Sequence, residues 1–273
     1  MIRPLSRLFR PRLSLVNGVA ASGGYLLFPA VVDMVILGAV LAGVTLLAAG
    51  GSALNQVLER DLDRLMVRTR RRPLPQGDLS PGAATLMGGG CIVAGFLALL
   101  CAGGLLSALL GIAALAWYLG IYTPLKRRTP FALPLGAVCG SVPPVIGWCV
   151  AGGGPADFRI ILLAGLLYLW QIPHFWLFQQ RHGDDYRSAG IQLFGTELKG
   201  NSSVGFCRLW LAALVTVAML LPAFGIIEPR VSLWYALVPA PLVIMSGFRA
   251  ESALFSYLNL FPLLVTLLIF IQK

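Results

Sequence analysis

The sequence predicts an all-α, polytopic membrane protein of about nine transmembrane helices bundled around a central cavity. Of its 273 residues, 58% are hydrophobic and only 12% are charged, whereas a soluble domain carries about 25% charged residues. Apolar runs long enough to cross a bilayer recur along the chain with no soluble domain between them. We therefore expect residues 1–273 to form a single transmembrane domain.

Nine apolar runs have the length and composition of a membrane-spanning helix. In chain order they are Leu15–Val32, Met34–Gln56, Ala84–Gly103, Leu105–Tyr122, Phe131–Ala151, Ile160–Gln180, Phe206–Ile227, Val231–Phe248 and Leu254–Ile271. The third and fourth runs are divided only at Gly103-Gly104 and could otherwise form one long segment. Two prolines in the stretch G-S-V-P-P-V-I-G-W predict a kink or a break in the fifth helix.

The basic residues lie in alternate connections between these helices. If the N-terminus is cytoplasmic, all 21 lysines and arginines except Arg159, Arg230 and Lys273 fall on the cytoplasmic side. The positive-inside rule sets the orientation from this asymmetry, so we expect a cytoplasmic N-terminus. The net charge of +10 is then a feature of membrane topology and does not indicate nucleic-acid binding.

Two acidic residues and an amide lie where the second predicted helix ends. Asn55, Glu59 and Asp63 are four residues apart, which places them on one helix face, whereas Asp61 points elsewhere. Carboxylates so close together repel each other and are costly at membrane depth, so they require a cation. Mg²⁺ commonly binds through one or two carboxylates plus substrate phosphates. The pattern favours a metal–diphosphate site, and ion pairs with neighbouring arginines are the alternative.

The basic residues that follow could bind phosphate groups, because guanidinium groups stabilise the oxygens of a leaving diphosphate. A second basic segment, Y-T-P-L-K-R-R-T-P, contains two prolines that stiffen it. The candidate substrate-binding residues are Arg68, Arg70, Tyr122, Lys126 and Arg127. They could contact a diphosphate or an anionic acceptor, or serve only as topology signals. For Arg71 and Arg72 a topology signal explains the charge equally well.

A third cluster ends the sixth predicted helix. His174 lies inside an apolar run, and an ionisable residue within a membrane is a functional candidate, with side-chain packing as the alternative. Asp184 and Asp185 close this helix and would supply a second pair of carboxylates, unless they form only a solvated turn. The candidate catalytic residues are Asn55, Glu59, Asp63, His174, Asp184 and Asp185, and all but the histidine are also candidate Mg²⁺ ligands.

Six motifs in order resemble the UbiA-type intramembrane prenyltransferases. They are R-P-R-L-S-L, E-R-D-L-D-R-L-M-V-R-T, Y-T-P-L-K-R-R-T, G-S-V-P-P-V-I-G-W, W-Q-I-P-H-F-W and D-D-Y-R-S-A-G-I. The resemblance implies a helical bundle around a cavity that opens to lipid, in which two acidic motifs bind Mg²⁺ and a prenyl diphosphate. Two positions depart from the family pattern: Glu59 replaces a usual aspartate, and Gln56 stands where the broader family often has an aspartate.

Within this family, the motifs are most similar to those of the branch that farnesylates heme. The resemblance therefore implies Mg²⁺-dependent farnesyl transfer from farnesyl diphosphate to a vinyl group of heme B, giving heme O, in the plasma (inner) membrane of a bacterium. His174 would face the heme side of the cavity, as a ligand or a proton carrier. A further heme-modifying enzyme would be a natural partner, although no residue indicates one.

Three alternatives stay open at this point. The chain could prenylate another acceptor, such as an aromatic quinone precursor or a chlorin. It could be a membrane transporter whose intramembrane charges form ion sites. The departures at Glu59 and Gln56 could also belong to a relative that has lost its activity.

Overall fold

The computed structural model describes residues 2–194, 201–247 and 251–272, and it contains helices and no β-strand within those ranges. The predicted helix end at Phe248, the basic residue Lys273 and part of the third cytoplasmic connection lie outside them. The helices are α1 (Ile2–Phe9), α2 (Pro11–Leu27), α3 (Met34–Leu58), α4 (Arg60–Leu65), α5 (Pro73–Gln76), α6 (Pro81–Ala116), α7 (Thr123–Leu125), α8 (Ala132–Val150), α9 (Phe158–Arg181), α10 (Gly183–Ser188), α11 (Asn201–Leu220), α12 (Pro229–Tyr235), α13 (Ala240–Gly247) and α14 (Glu251–Ile271), with a π-helical turn, Trp117–Tyr122, after α6. The predicted all-α class is confirmed.

Five helices of the described residues are long and apolar enough to cross a membrane, so the chain is an integral, multi-pass membrane protein. They are Met34–Leu58, Pro81–Leu125, Ala132–Val150, Phe158–Arg181 and Glu251–Ile271. The predicted count of nine is not confirmed. Helix α2 has 17 residues, and the predicted span that begins at Val231 is divided between α12 and α13. Pro239 lies at this division, and proline disfavours helical backbone in the residue before it.

Helix α6 reverses direction at Gly104, whose φ of 73° and ψ of −172° are not helical. A positive φ of this kind is readily adopted only by glycine. A Cβ atom on Gly50 would lie 2.6 Å from Ile92, and one on the adjacent Gly51 would lie 2.8 Å from Leu115. Segments from both sides of Gly104 therefore contact the same level of α3, and the predicted break between the third and fourth spans is confirmed.

Helices α2 and α8 approach so closely that their backbones touch. A Cβ atom on Gly24 would lie 1.9 Å from the carbonyl oxygen of Pro144, and one on Gly147 would lie 1.8 Å from the carbonyl oxygen of Ala21. Small residues permit this kind of contact between membrane helices. Helix α8 continues through its two prolines, so of the predicted kink or break the break is not found, and the kink stays a prediction.

The long helices surround a cavity of about 520 Å³, which is lined by α2, α3, α6, α8, α9 and α14. One end of it is covered by the connections that follow α3 and α9. There Leu62 and Met66 pack with Ile191 in a small hydrophobic cluster. The fold thus joins an apolar interior to the connections in which the sequence concentrates its charges.

Candidate active site

Asn55, Glu59 and Asp63 line the cavity together, which confirms that they share a face. Their exposed fractions are 4%, 2% and 0%. Helix α3 ends just before Glu59, yet the Glu59 N–H donates to the Asn55 carbonyl at 3.0 Å and the Asp63 N–H donates to the Glu59 carbonyl at 2.8 Å. These two hydrogen bonds maintain helical spacing across the junction between α3 and α4, so the three side chains remain on the same side. Asp61 points outward as predicted, with 89% of its side chain exposed.

Each buried carboxylate is paired with a cation from another part of the chain. Lys126 Nζ lies 2.5 Å from both oxygens of Glu59. Arg72 Nη1 donates to both oxygens of Asp63, at 2.9 and 2.7 Å. Burial lowers the pKa of Lys126, and the charge of Glu59 opposes that shift. These pairs place Lys126 in the site as predicted, and they bring in Arg72, for which the sequence left a topology role equally open.

Arg10 is a further cation of the cavity that the sequence analysis did not select. It joins α1 to α2 in a left-handed conformation, with φ of 47° and ψ of 58°. Such a conformation costs a non-glycine residue about 1–3 kcal/mol, and strained residues of this kind cluster at functional sites. Burial and the neighbouring Arg72 lower the pKa of its guanidinium. The R-P-R sequence was the available signal, because proline fixes the start of α2 directly after this residue.

Aromatic rings border the same end of the cavity. Tyr122 lines it as predicted and stacks on Tyr118 at 5.8 Å between ring centroids, and Lys126 Nζ lies 5.8 Å from the Tyr122 ring. The guanidinium of Arg68, also in the lining, lies 5.2 Å from the ring of Phe178. A cation over an aromatic face is attracted by the ring, which helps to hold Lys126 and Arg68 beside the cavity.

Gln56, one of the two expected departures from the family pattern, anchors the first helix and does not line the cavity. Its Nε2 donates to the carbonyl oxygens of Arg7 and Leu8, at 3.1 and 2.7 Å. An aspartate carboxylate has no proton to donate at neutral pH, so it could not make these bonds. The amide therefore holds α1 in place, directly before the strained Arg10.

Asp184 and Asp185 lie outside the cavity lining, and their role as Mg²⁺ ligands stays a prediction. The Asp184 side chain is 98% exposed and pairs with Arg187. The two oxygens of Asp185 accept the backbone N–H groups of Val67 and Arg68, at 2.9 and 3.1 Å. Adjacent residues of a helix point about 100° apart, and the two carboxylates here have different partners. In this geometry Asp185 binds the connection after α4.

Arg70 and Arg127 also lie outside the cavity lining, although both were candidate substrate-binding residues. Arg70 is exposed, and its carbonyl accepts the Gln76 amide at 2.7 Å. Arg127 Nη2 donates to the carbonyl of Leu58 at 3.2 Å, which caps the end of α3. A basic side chain at this position satisfies a helix carbonyl and interacts favourably with the helix dipole.

The acidic cluster fits a divalent cation only together with a ligand that brings more oxygen atoms. Within residues 2–194, 201–247 and 251–272, no group of three His, Cys, Asp or Glu side chains could hold a metal ion. The chain could supply the carboxylates of Glu59 and Asp63 and the amide oxygen of Asn55. Oxygen donors of this kind suit Mg²⁺, which commonly binds through one or two carboxylates plus substrate phosphates.

The family model for the UbiA prenyltransferases matches residues 17–268. The chain belongs to the UbiA prenyltransferase family. It is 59% identical over 266 residues to a protoheme IX farnesyltransferase of Geobacter sulfurreducens, an alignment that covers 97% of both chains. It is 38% identical to a protoheme IX farnesyltransferase of Oleidesulfovibrio alaskensis, over all of this chain and 97% of the relative.

Solved structures of UbiA homologues share the fold. The apo structure of a homologue from Aeropyrum pernix K1 superposes with a TM-score of 0.78 at 20% identity and covers 96% of each chain. A homologue from Archaeoglobus fulgidus bound to GPP and Mg²⁺ gives a TM-score of 0.73 at 14% identity and covers 98% of each. At these identities the likeness concerns the fold.

Proposed function

We propose that this UbiA-family chain transfers the farnesyl group of farnesyl diphosphate to a vinyl group of heme B, giving heme O and diphosphate. The observation that carries the proposal is a single cavity with buried carboxylates and cations at one end and apolar walls beyond them. The full-length similarity to protoheme IX farnesyltransferases supports heme B as the acceptor.

The charged end of the cavity suits the diphosphate. Four cations border it and can stabilise the negative charge that develops on the leaving group: Lys126, Arg72, Arg10 and Arg68. Bound Mg²⁺ would be held by Asn55, Glu59 and Asp63 and would supply Lewis-acid neutralisation of the phosphate oxygens. The Mg²⁺ in a solved homologue with GPP supports this role. Asp184 and Asp185 have no direct part in the proposal, because neither lines the cavity.

The reaction breaks the carbon–oxygen bond of farnesyl diphosphate, and the electron pair leaves with the diphosphate. The terminal vinyl carbon of heme then bonds to the first farnesyl carbon, water adds to the other vinyl carbon, and a proton is released. Residues Val44, Leu47 and Leu115 extend the cavity with apolar walls beyond the charged end. Such walls accommodate an isoprenoid chain and limit the access of bulk water to the allylic cation.

The same proposal places the chain in a bacterial plasma membrane as one domain with its N-terminus and the diphosphate site at the cytoplasmic side. The charge asymmetry of the sequence supports this orientation. The basic residues Arg10, Arg68, Arg72 and Lys126 all lie in the segments that the rule assigns to the cytoplasm, and all four border the cavity.

The proposal is tested by incubating membranes that contain the chain with Mg²⁺, isotope-labelled farnesyl diphosphate and one acceptor at a time. We expect label in heme and release of diphosphate, and neither product once Mg²⁺ is chelated. Asp63→Asn should abolish transfer, whereas Asp61→Asn removes the same charge from an exposed position and should not. Label in an aromatic quinone precursor or a chlorin, and none in heme, would overturn the assignment of the acceptor.

A further inference from the structure

His174 lies in the lining of the cavity, within α9. Its imidazole stacks on two aromatic rings. The ring centroid of Trp170 lies 5.2 Å away with an angle of 25° between the planes, and that of Phe255 lies 5.1 Å away with an angle of 11°. Phe175 meets it edge-on at 5.1 Å. Trp170 is itself fixed by a hydrogen bond of 2.6 Å from Nε1 to the carbonyl of Leu258. Because two aromatic rings stack on the imidazole, its edge, which bears the two nitrogens, is the part left for a polar interaction.

One nitrogen of this ring has no hydrogen-bond partner in the protein. Nδ1 of His174 is buried and has no hydrogen-bond partner among the described residues. A buried polar group without a partner costs about 1–3 kcal/mol. A general acid or base needs a hydrogen-bonded group, or a bridging water, to pass its proton to. The contacts described for the ring are aromatic, so no side chain of the described residues is placed to exchange a proton with Nδ1.

The acceptor of the proposed reaction brings a metal that imidazole binds well. Heme iron commonly takes a histidine nitrogen as an axial ligand, and the macrocycle around it is flat and apolar. His174 faces a cavity with apolar walls, and the rings beside it suit contact with a flat conjugated ligand. We propose that His174 binds the iron of the heme acceptor as an axial ligand and thereby fixes the position of the macrocycle and its vinyl groups. This inference rests on the proposed function.

The chain contains a matched control, because it has two histidines. His182 follows α9 outside the cavity lining, and its Nδ1 lies 2.9 Å from the carbonyl oxygen of Phe178. His182→Ala therefore removes an imidazole of the same chain that the cavity does not use. His174→Gln removes the iron ligand but keeps a polar side chain of similar length, which limits the disturbance of α9.

The test titrates the purified full-length chain, in lipid nanodiscs, with ferrous heme B and records the Soret absorption. We expect a histidine-ligated spectrum for the wild type and for His182→Ala, and its loss in His174→Gln and His174→Ala. Added imidazole should restore the spectrum in His174→Ala. Binding of a labelled, non-hydrolysable farnesyl diphosphate analogue by both His174 variants shows that they are folded.

The proposed transfer activity and the proposed role of His174 can be refuted separately. If the wild type transfers no farnesyl group to heme, the proposed function is wrong and the inference falls with it. If the wild type farnesylates heme, and His174→Gln binds the farnesyl analogue and gives the wild-type Soret spectrum, only the role of His174 is refuted.

Discussion

The contacts of Asp185 predict that this residue positions Arg68 and does not bind a metal ion. Its carboxylate accepts two successive backbone N–H groups, from Val67 and Arg68, and the Ser188 hydroxyl lies 3.3 Å from the carbonyl of Leu65. These bonds tie α10 to the connection that presents Arg68 to the cavity. In Asp185→Ala both carboxylate bonds are lost, so the connection is freed and Arg68 is held less firmly over the diphosphate site.

The size of the effect follows from the two bonds. A hydrogen bond to a charged group contributes about 1.5–3 kcal/mol, and exposure to solvent reduces this for the Asp185 bonds to about 1 kcal/mol each. The loss of about 2 kcal/mol corresponds to a fall of about 30-fold in kcat/KM for farnesyl diphosphate. Asp184→Ala removes a carboxylate that is 98% exposed, and such surface changes alter rates by a factor of about two at most.

Steady-state farnesyl transfer, measured over a range of farnesyl diphosphate and Mg²⁺ concentrations, checks this reasoning. We expect Asp185→Ala to lower kcat/KM while the Mg²⁺ concentration for half-maximal activity stays unchanged. The double variant with Arg68→Ala should lose little more than Arg68→Ala alone, because both changes act through one guanidinium. A clear rise in the Mg²⁺ requirement of Asp185→Ala, or an equal loss in Asp184→Ala, would refute the positioning role.

Three further predictions concern the folded state. Lys126→Met should destabilise the protein by about 3 kcal/mol, because it leaves the Glu59 carboxylate buried and unpaired. Adding Glu59→Gln should restore the midpoint of thermal unfolding. A Lys126→Met variant as stable as the wild type would contradict this. Gln56→Asp should lower stability by about 2 kcal/mol because a carboxylate cannot donate to the two carbonyls of α1, and an increase in activity would speak against this anchoring role. Gly147→Val should lower stability by about 3 kcal/mol or more, because it forces α2 away from α8. Gly90→Val should not, because the space around its Cβ is open. Equal yields of monodisperse protein for the two variants would be inconsistent with the described packing of α2 on α8.

Helical periodicity was sufficient to predict the centre of the candidate site. Asn55, Glu59 and Asp63 share a face because their four-residue spacing is a local property of a helix. The partner of Glu59 could not be predicted in the same way, because Lys126 lies 67 positions away along the chain. Arg72 could have been only a topology signal, since its charge alone does not show which carboxylate it pairs with. Its pairing with Asp63 is seen only in the folded chain.

The predictions that the structure does not confirm share a physical cause. The charges of Asp184 and Asp185 were evident, but a carboxylate can satisfy backbone N–H groups as well as a metal ion, and sequence does not distinguish the two. Hydropathy likewise measures apolar length and not helical continuity. It therefore missed the division of the span from Val231 at Pro239, whereas the reversal at Gly104 was predicted because two adjacent glycines marked it.

Binding of Mn²⁺, used in place of Mg²⁺ and followed by electron paramagnetic resonance, tests most directly whether Glu59 and Asp63 form a metal site completed by a diphosphate. With a non-hydrolysable farnesyl diphosphate analogue present, the wild type should bind Mn²⁺ tightly, and without the analogue it should bind weakly, because the carboxylates are then paired with Lys126 and Arg72. Asp63→Asn should lose the tight site and Asp61→Asn should keep it. Tight binding that is independent of the analogue, or that survives Asp63→Asn, would contradict the account.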